Sequence, residues 1–148
     1  MSLIPKGTRV RYLDIDAPET VHPDKPVQCY GPGATLRNKQ LVEGENVVLS
    51  RIERGQTIDN SFDNYDRLLA NVYALDSNDR SEYWVNAELV WGGFAYDYKR
   101  STGSWFERYF ESWELNAKYY ARGLWSKCHN LTPHATYMTP TPTPTPTP

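Results

Sequence analysis

The pattern of apolar and polar positions divides this chain into short elements. Thr8–Asp16 (Thr-Arg-Val-Arg-Tyr-Leu-Asp-Ile-Asp) is a β-rich run and predicts a strand that stops at Ala17-Pro18, because Pro18 cannot donate to a ladder. Val21–Gly31 holds two prolines and a glycine and reads as loop. Pro32 in a first turn, then Ala34, Leu36, Leu41 and a closing Gly44, predict a short helix. Asn46–Ile52 reads as a second strand, Glu53–Asp66 as a polar, turn-rich stretch, and Arg67–Ala74 as a third strand with Leu68, Ala70 and Val72 on one face. Asp76–Arg80 is a turn, Glu82–Val85 a short strand, and Asn86–Trp91 a short helix stopped by Gly92-Gly93.

The clearest element comes last. Ser104 followed by Glu107 forms a capping box. Phe106, Tyr109, Phe110, Trp113, Ala117 and Tyr120 then recur at helical spacing up to Gly123, which predicts one apolar stripe facing a core. Short strands with helices gathered at one side place the chain in the α+β class, as a small twisted sheet or partial barrel.

Composition adds a boundary. Hydrophobic residues make up 39% and charged residues 23% of the 148 residues, values that suit one globular domain. No apolar run is long enough to cross a bilayer, and the first residues lack the apolar core of a signal peptide. The net charge of -2 excludes a generic basic coat for nucleic acid, though a few placed arginines can still hold a phosphate. Every Lys, Arg, Asp and Glu lies before His129, and five of the 11 prolines fall in the run Thr139–Pro148. A Thr-Pro alternation has no apolar face to bury, so residues 129–148 read as an extended, disordered linker and residues 1–128 as the folded unit. A spacer of this kind leads to the expectation that more chain follows Pro148.

Candidate chemistry gathers at two places. Asp16 and Glu19 flank a strand end, with Arg11 upstream on the same strand. Arg67 opens another strand just after Asp63-Asn64-Tyr65-Asp66. Hard carboxylate oxygens suit Ca²⁺ or Mg²⁺, a second carboxylate can take a proton from water, and guanidinium groups grip phosphate. Residue types alone fit a phosphodiester site; they fit ordinary surface ion pairs equally well. Cys29 and Cys128 are too far apart in sequence for a zinc motif, which leaves two unrelated buried residues or one disulfide.

Longer stretches carry a resemblance. Arg11-Tyr12-Leu13-Asp14-Ile15-Asp16-Ala17-Pro18-Glu19-Thr20-Val21-His22-Pro23 is similar to the signature of the thermonuclease (staphylococcal nuclease-like) family. The similarity continues through Lys25–Pro32, Asp63–Ala70, Val85–Val90, Ala95–Lys99 and Arg122–Ser126, in the family's order and spacing over about residues 8–128. The resemblance implies an OB-type five-stranded β-barrel with packed helices, and a Ca²⁺-dependent endonuclease acting on DNA and RNA, preferably single-stranded or unwound, with little sequence preference. It implies that Asp16 and the backbone carbonyl of Ala17 hold calcium. Glu19 would be the general base, and Arg11 and Arg67 would stabilise the scissile phosphate. Lys25, Tyr65, Tyr96 and Tyr98 would contact substrate, although hairpin packing explains the last two tyrosines as well. The family fold also brings the Cys29 and Cys128 regions together, which favours the disulfide, and with the Thr/Pro run it points to a secreted protein. No membrane is implied, and the expected state is a monomer.

Departures from the family pattern set further expectations. The Asp-Gly-Asp-Thr turn that supplies a second calcium carboxylate upstream of the arginine strand is missing here. The first strand and most of the second are therefore expected to be absent, which would leave an open strand edge and weaken both folding and catalysis. Asp14 and Asp16 should share a strand face by period 2, so Asp14 could stand in for the lost ligand. The alternative function is a non-catalytic module of the same fold that binds nucleic acid or protein; Arg11, Glu19 and Arg67 argue against it, since a binding module needs no general base.

Overall fold

A computed structural model describes residues 4–50, 61–98 and 107–128. It contains β1 (Val10–Tyr12), β2 (Ile15–Asp16), α1 (Gly31–Val42), β3 (Val47–Ser50), β4 (Leu68–Leu75), β5 (Ser81–Trp84), α2 (Val85–Trp91), β6 (Tyr96–Asp97), α3 (Glu107–Tyr119) and α4 (Leu124–Lys127). β4 is the hub. β3 runs antiparallel to it with Leu49 opposite Val72, β5 runs antiparallel with Tyr73 opposite Trp84, and β1 runs parallel with Arg11 opposite Leu69. β2 and β6 form a separate antiparallel pair. Among the described residues the strands make open sheets and no closed barrel, within an α+β architecture.

The expected strand Thr8–Asp16 is two strands. Leu13 and Asp14 turn between them, and Asp14 has φ 59°, in the left-handed region. An aspartate tolerates that region better than most side chains, and it ends the period-2 alternation. Asp14 therefore does not share a strand face with Asp16, because no continuous strand joins them.

Leu68, Ala70, Val72 and Ala74 are buried on one face of β4, as their alternation requires. Val72 and Ala74 join Leu41 of α1, Val85, Leu89 and Val90 of α2 and Phe110 of α3 in the main core. Trp84 and Trp113 set their rings edge-on at 5.7 Å and close the far side. On α3 the buried positions are Phe110, Glu114 and Ala117, while Tyr109 and Tyr120 are exposed. The stripe is therefore rotated from the expected one and has a carboxylate at its centre. Glu114 accepts the Asp97 N–H (2.7 Å) and pairs with Lys118 (2.5 Å), so its burial is compensated. Ser104 and Phe106, the capping box's first residue and the stripe's first ring, lie outside the described residues, as do residues 129–148.

A second, smaller cluster joins Tyr96, Leu124 and Cys128, with Cys29, Tyr30 and Trp125 packed against it. Cys29 and Cys128 are disulfide-bonded, their Cα atoms 5.9 Å apart. Gly93 (φ 75°) and Gly123 (φ 55°) lie backbone to backbone, where a Cβ on either would collide with a carbonyl oxygen. The Leu124 N–H donates to the Gly93 carbonyl at 2.8 Å, so this contact seats α4 against the end of α2.

Candidate active site

A cavity of about 330 Å³ opens beside β1, β2 and α1. Arg11, Asp16, Ala17, Glu19 and Arg67 all line it. Five of the residues singled out from sequence, from the stretch 11–19 and from Arg67, therefore meet at one place. Tyr65, Tyr96, Tyr98 and Lys25 do not line it.

Each side chain is aimed by local structure. Arg11 leaves the middle of β1 and folds back over the turn that follows. Its Nη1 donates to the Ile15 carbonyl (2.6 Å) and the Tyr12 carbonyl (3.1 Å), and its Nη2 lies 3.4 Å from Asp16 Oδ1. The guanidinium sits over the Tyr98 ring, 5.6 Å from its centre. Asp16 Oδ1 also accepts the Ala17 N–H at 3.0 Å. Burial pushes the Asp16 carboxyl above its ordinary value and Glu19 adds to that, while Arg11, the Ala17 N–H and Arg67 pull it down.

Glu19 sits on the turn after Pro18. Its Oε1 accepts the N–H groups of Thr20 and Val21, both at 2.9 Å. Its pKa is lowered, first by the Val21 N–H, against the opposing effect of burial, and then by the Thr20 N–H and by His22. Glu19 is therefore ionised at neutral pH.

Arg67 comes from the turn before β4. Both Nε (2.8 Å) and Nη2 (2.7 Å) reach Asp63 Oδ2, while Asp63 Oδ1 accepts the N–H groups of Tyr65 and Arg67. This carboxylate fixes the turn with one oxygen and the arginine with the other. Sequence reading marked the turn but not Asp63 as the arginine's holder; an aspartate heading a four-residue turn into a strand was the available signal. Asp66 completes that turn at φ 59°.

The substrate candidates are scattered. Tyr65 is 72% exposed, with the Arg67 guanidinium 5.4 Å from its ring centre, so it stands beside the site through Arg67. Tyr98 is half-buried beneath Arg11. Tyr96 is 1% exposed and meets the Trp125 ring edge-on, in the smaller core cluster. The expectation that it touches substrate does not fit that burial: β6 pairs with β2, which turns this ring inward. Lys25 is exposed on its loop, away from the cavity.

A carboxylate and a backbone carbonyl are donors of the kind a hard divalent cation takes, and Asp16 and Ala17 both line the cavity. Among the described residues no three His, Cys, Asp or Glu side chains are grouped to share one ion.

Three buried amides, Asn71, Asn86 and Gln28, went unnoticed in sequence. Asn86, fully buried, accepts the Val72 N–H (2.9 Å) and donates to the Leu13 carbonyl (3.0 Å) and to Asn71 (3.3 Å), tying α2 to β4 and to the β1–β2 turn. Gln28, also buried, bonds to the backbone of Glu19. Nothing in a lone Asn or Gln distinguishes a buried tie from a surface amide before the fold is known.

Residues 9–127 match the family model described as staphylococcal nuclease homologue. The chain belongs to that family. It is 37% identical over 118 residues to the SPbeta prophage-derived endonuclease YokF of Bacillus subtilis, covering 80% of this chain and 36% of the relative. It is 35% identical over 130 residues to endonuclease YncB of the same organism, covering 86% of this chain and 56% of the relative. The chain thus spans only about a third to just over half of these relatives' lengths. The match begins within the stretch that leads into Arg11 and ends beside Cys128, so it takes in every residue lining the cavity.

Proposed function

We propose that this chain is a calcium-dependent endonuclease domain that hydrolyses phosphodiester bonds of DNA and RNA, with single-stranded or unwound substrate preferred. The observation that carries this reading is the meeting of Arg11, Asp16, Glu19 and Arg67 in one cavity of a nuclease-family fold. Both relatives named above are endonucleases, which supports it further.

In this reading the ionised Glu19 carboxylate accepts a proton from the attacking water as the water oxygen bonds to phosphorus. The bond from phosphorus to the leaving sugar oxygen breaks, that oxygen takes a proton from solvent water, and Glu19 returns its proton to solvent. Arg11 and Arg67 donate to the phosphoryl oxygens, whose negative charge grows in the five-coordinate transition state. Asp63 and the Ile15 and Tyr12 carbonyls hold the two guanidinium groups in place beforehand, so little reorganisation is needed at the moment of reaction. Ca²⁺, held by Asp16 and the Ala17 carbonyl, would supply further positive charge beside the phosphate. Phosphate contacts carry no sequence information, which accords with little sequence preference. The domain acts as a monomer, and the Cys29–Cys128 bond supports an oxidising, extracellular location.

Cleavage of a single-stranded oligonucleotide, followed with calcium and with excess chelator, tests the proposal. Cleavage should require calcium, and Glu19→Gln should lower the rate by about 10²–10⁴-fold. Cleavage that survives chelation, or full activity in the variant, would sink it. Tight binding of single-stranded DNA without cleavage would point instead to the non-catalytic module.

A further inference from the structure

The turn that carries Glu19 is held from behind by a second turn, Gln28–Gly31. Gln28 Oε1 accepts the Glu19 N–H at 2.8 Å, and the Gln28 N–H donates to the Glu19 carbonyl at 2.8 Å. One residue thus engages both backbone groups of the other, in the manner of a closely paired position in a sheet. Gln28 is 5% exposed, although it lies in a loop whose neighbours from Pro23 to Val27 are exposed. A polar side chain so buried in a loop is there to satisfy something, and here it satisfies the amide of Glu19.

The rest of the second turn is equally constrained. Cys29, the next residue, is bonded to Cys128 at the far end of the domain. Tyr30 adopts φ 67°, a left-handed conformation that is strained for an aromatic residue and persists only where the surroundings enforce it. Its ring stacks on Phe94 at 5.6 Å. Gly31 comes so close to the catalytic turn that a Cβ would stand 2.6 Å from the Thr20 methyl and 3.1 Å from the Glu19 carbonyl oxygen. A disulfide to Cys128, a left-handed backbone and a ring stack on Phe94 fix this short segment, and Gly31 packs it closely beside Pro18–Thr20.

We infer that Gln28 is a positioning residue for Glu19, fixing its backbone from a turn that the Cys29–Cys128 disulfide anchors. With N–H and carbonyl both engaged, the Glu19 Cα–Cβ bond has one direction, and the Thr20 and Val21 N–H groups then orient the carboxylate. A general base must be held to within about 0.5 Å of its productive place. Gln28 lies outside the cavity lining, so its effect falls on the alignment of the base and not on substrate affinity. This inference rests on the proposed role of Glu19.

The test uses the full chain and two substitutions. Gln28→Met keeps the bulk and removes the accepting oxygen; Gln28→Asn keeps the amide and withdraws it by one methylene. Both should lower kcat by about 10–100-fold, the cost of a misplacement near 1 Å, with KM little changed and the loss in kcat larger than any fall in melting temperature explains. Hydrogen exchange at the Glu19 amide should quicken in both, and this readout does not depend on activity. Should the Met variant fail to fold, the Asn variant carries the same two measurements. An unchanged kcat alongside faster exchange overturns the positioning role, and unchanged exchange overturns the clasp itself. A parent chain that cleaves nothing fails the nuclease reading, whereas a parent and variants that cleave equally fail this inference alone.

Discussion

Asp63 holds Arg67 through two nitrogens that converge on a single carboxylate oxygen, Nε at 2.8 Å and Nη2 at 2.7 Å. The other oxygen is committed to the turn's own N–H groups. Arg67 therefore reaches the cavity with one edge tethered and the rest of its fork available for a phosphate. The arrangement uses the planar geometry of guanidinium, and it makes several expectations specific.

Arg67→Lys should not be conservative. An ammonium is a point charge on a flexible stem and cannot bind Asp63 along one edge while presenting a planar edge to substrate. A loss of at least about 10²-fold in kcat/KM is expected, the usual worth of a positioned donor to transition-state charge. Steady-state hydrolysis of an oligonucleotide under saturating calcium measures it; wild-type turnover would show that Arg67 does not serve the phosphate.

Acid should weaken the fold partly through Asp63. Burial pushes this carboxyl up, but the Arg67 guanidinium and the Arg67 and Tyr65 N–H groups outweigh it, and its pKa is lowered. A depressed folded pKa contributes stability that is full above the unfolded value near 3.8 and is lost as pH falls through the lower folded value. Asp16, whose pKa is raised, acts with the opposite sign, losing stability as pH rises through its window. The difference between wild type and Asp63→Asn isolates the first effect: the stability gap should be widest at neutral pH and narrow as pH falls below the ordinary value of 3.8. Denaturant unfolding at a series of pH values reads it, and a gap independent of pH would contradict the assignment.

Asn86→Leu should destabilise the domain although it removes no apolar contact. It orphans the Val72 N–H and the Leu13 carbonyl, at about 1–3 kcal/mol for each buried group left unpaired. Since Leu13 lies in the β1–β2 turn between Arg11 and Asp16, activity should fall below what lost stability explains. Urea unfolding beside the cleavage assay separates the two; a variant as stable as wild type would refute the tie.

Reducing the Cys29–Cys128 bond should lower the melting temperature substantially. The bond closes a sequence separation of 99 residues, for which the chain-entropy model gives roughly 4–5 kcal/mol. Thermal unfolding with and without reductant measures the shift. Equal transitions would mean that the tie contributes nothing to the folded state.

Much of the element order was legible because it depends on neighbours along the chain. The alternation Leu68-Ala70-Val72, the Pro32 start of α1 and the Gly92-Gly93 stop of α2 are local signals, and the structure places those elements within a residue or two. Arg11, Asp16, Glu19 and Arg67 were singled out through the family resemblance of longer stretches, since residue types alone fit surface ion pairs equally well; the structure brings the four to one cavity. That the chain is α+β followed from the same reading.

Only the tertiary structure decided what depends on contacts between distant residues. Thr8–Asp16 reads as one strand, yet it breaks at Asp14, because β1 pairs with β4 while β2 pairs with β6. Tyr96 and Tyr98 look alike two residues apart, but β6 turns one into the core and leaves the other under Arg11. Glu114 lies outside the stripe read from sequence yet is buried, because the Asp97 amide from β6 and Lys118 one turn on satisfy its charge. Gln28 and Asn86 acquire their roles solely from the backbone groups the fold brings to them. Local propensity and spacing act over a few residues and are written in the sequence; burial and hydrogen-bond partnership are set by the whole chain at once.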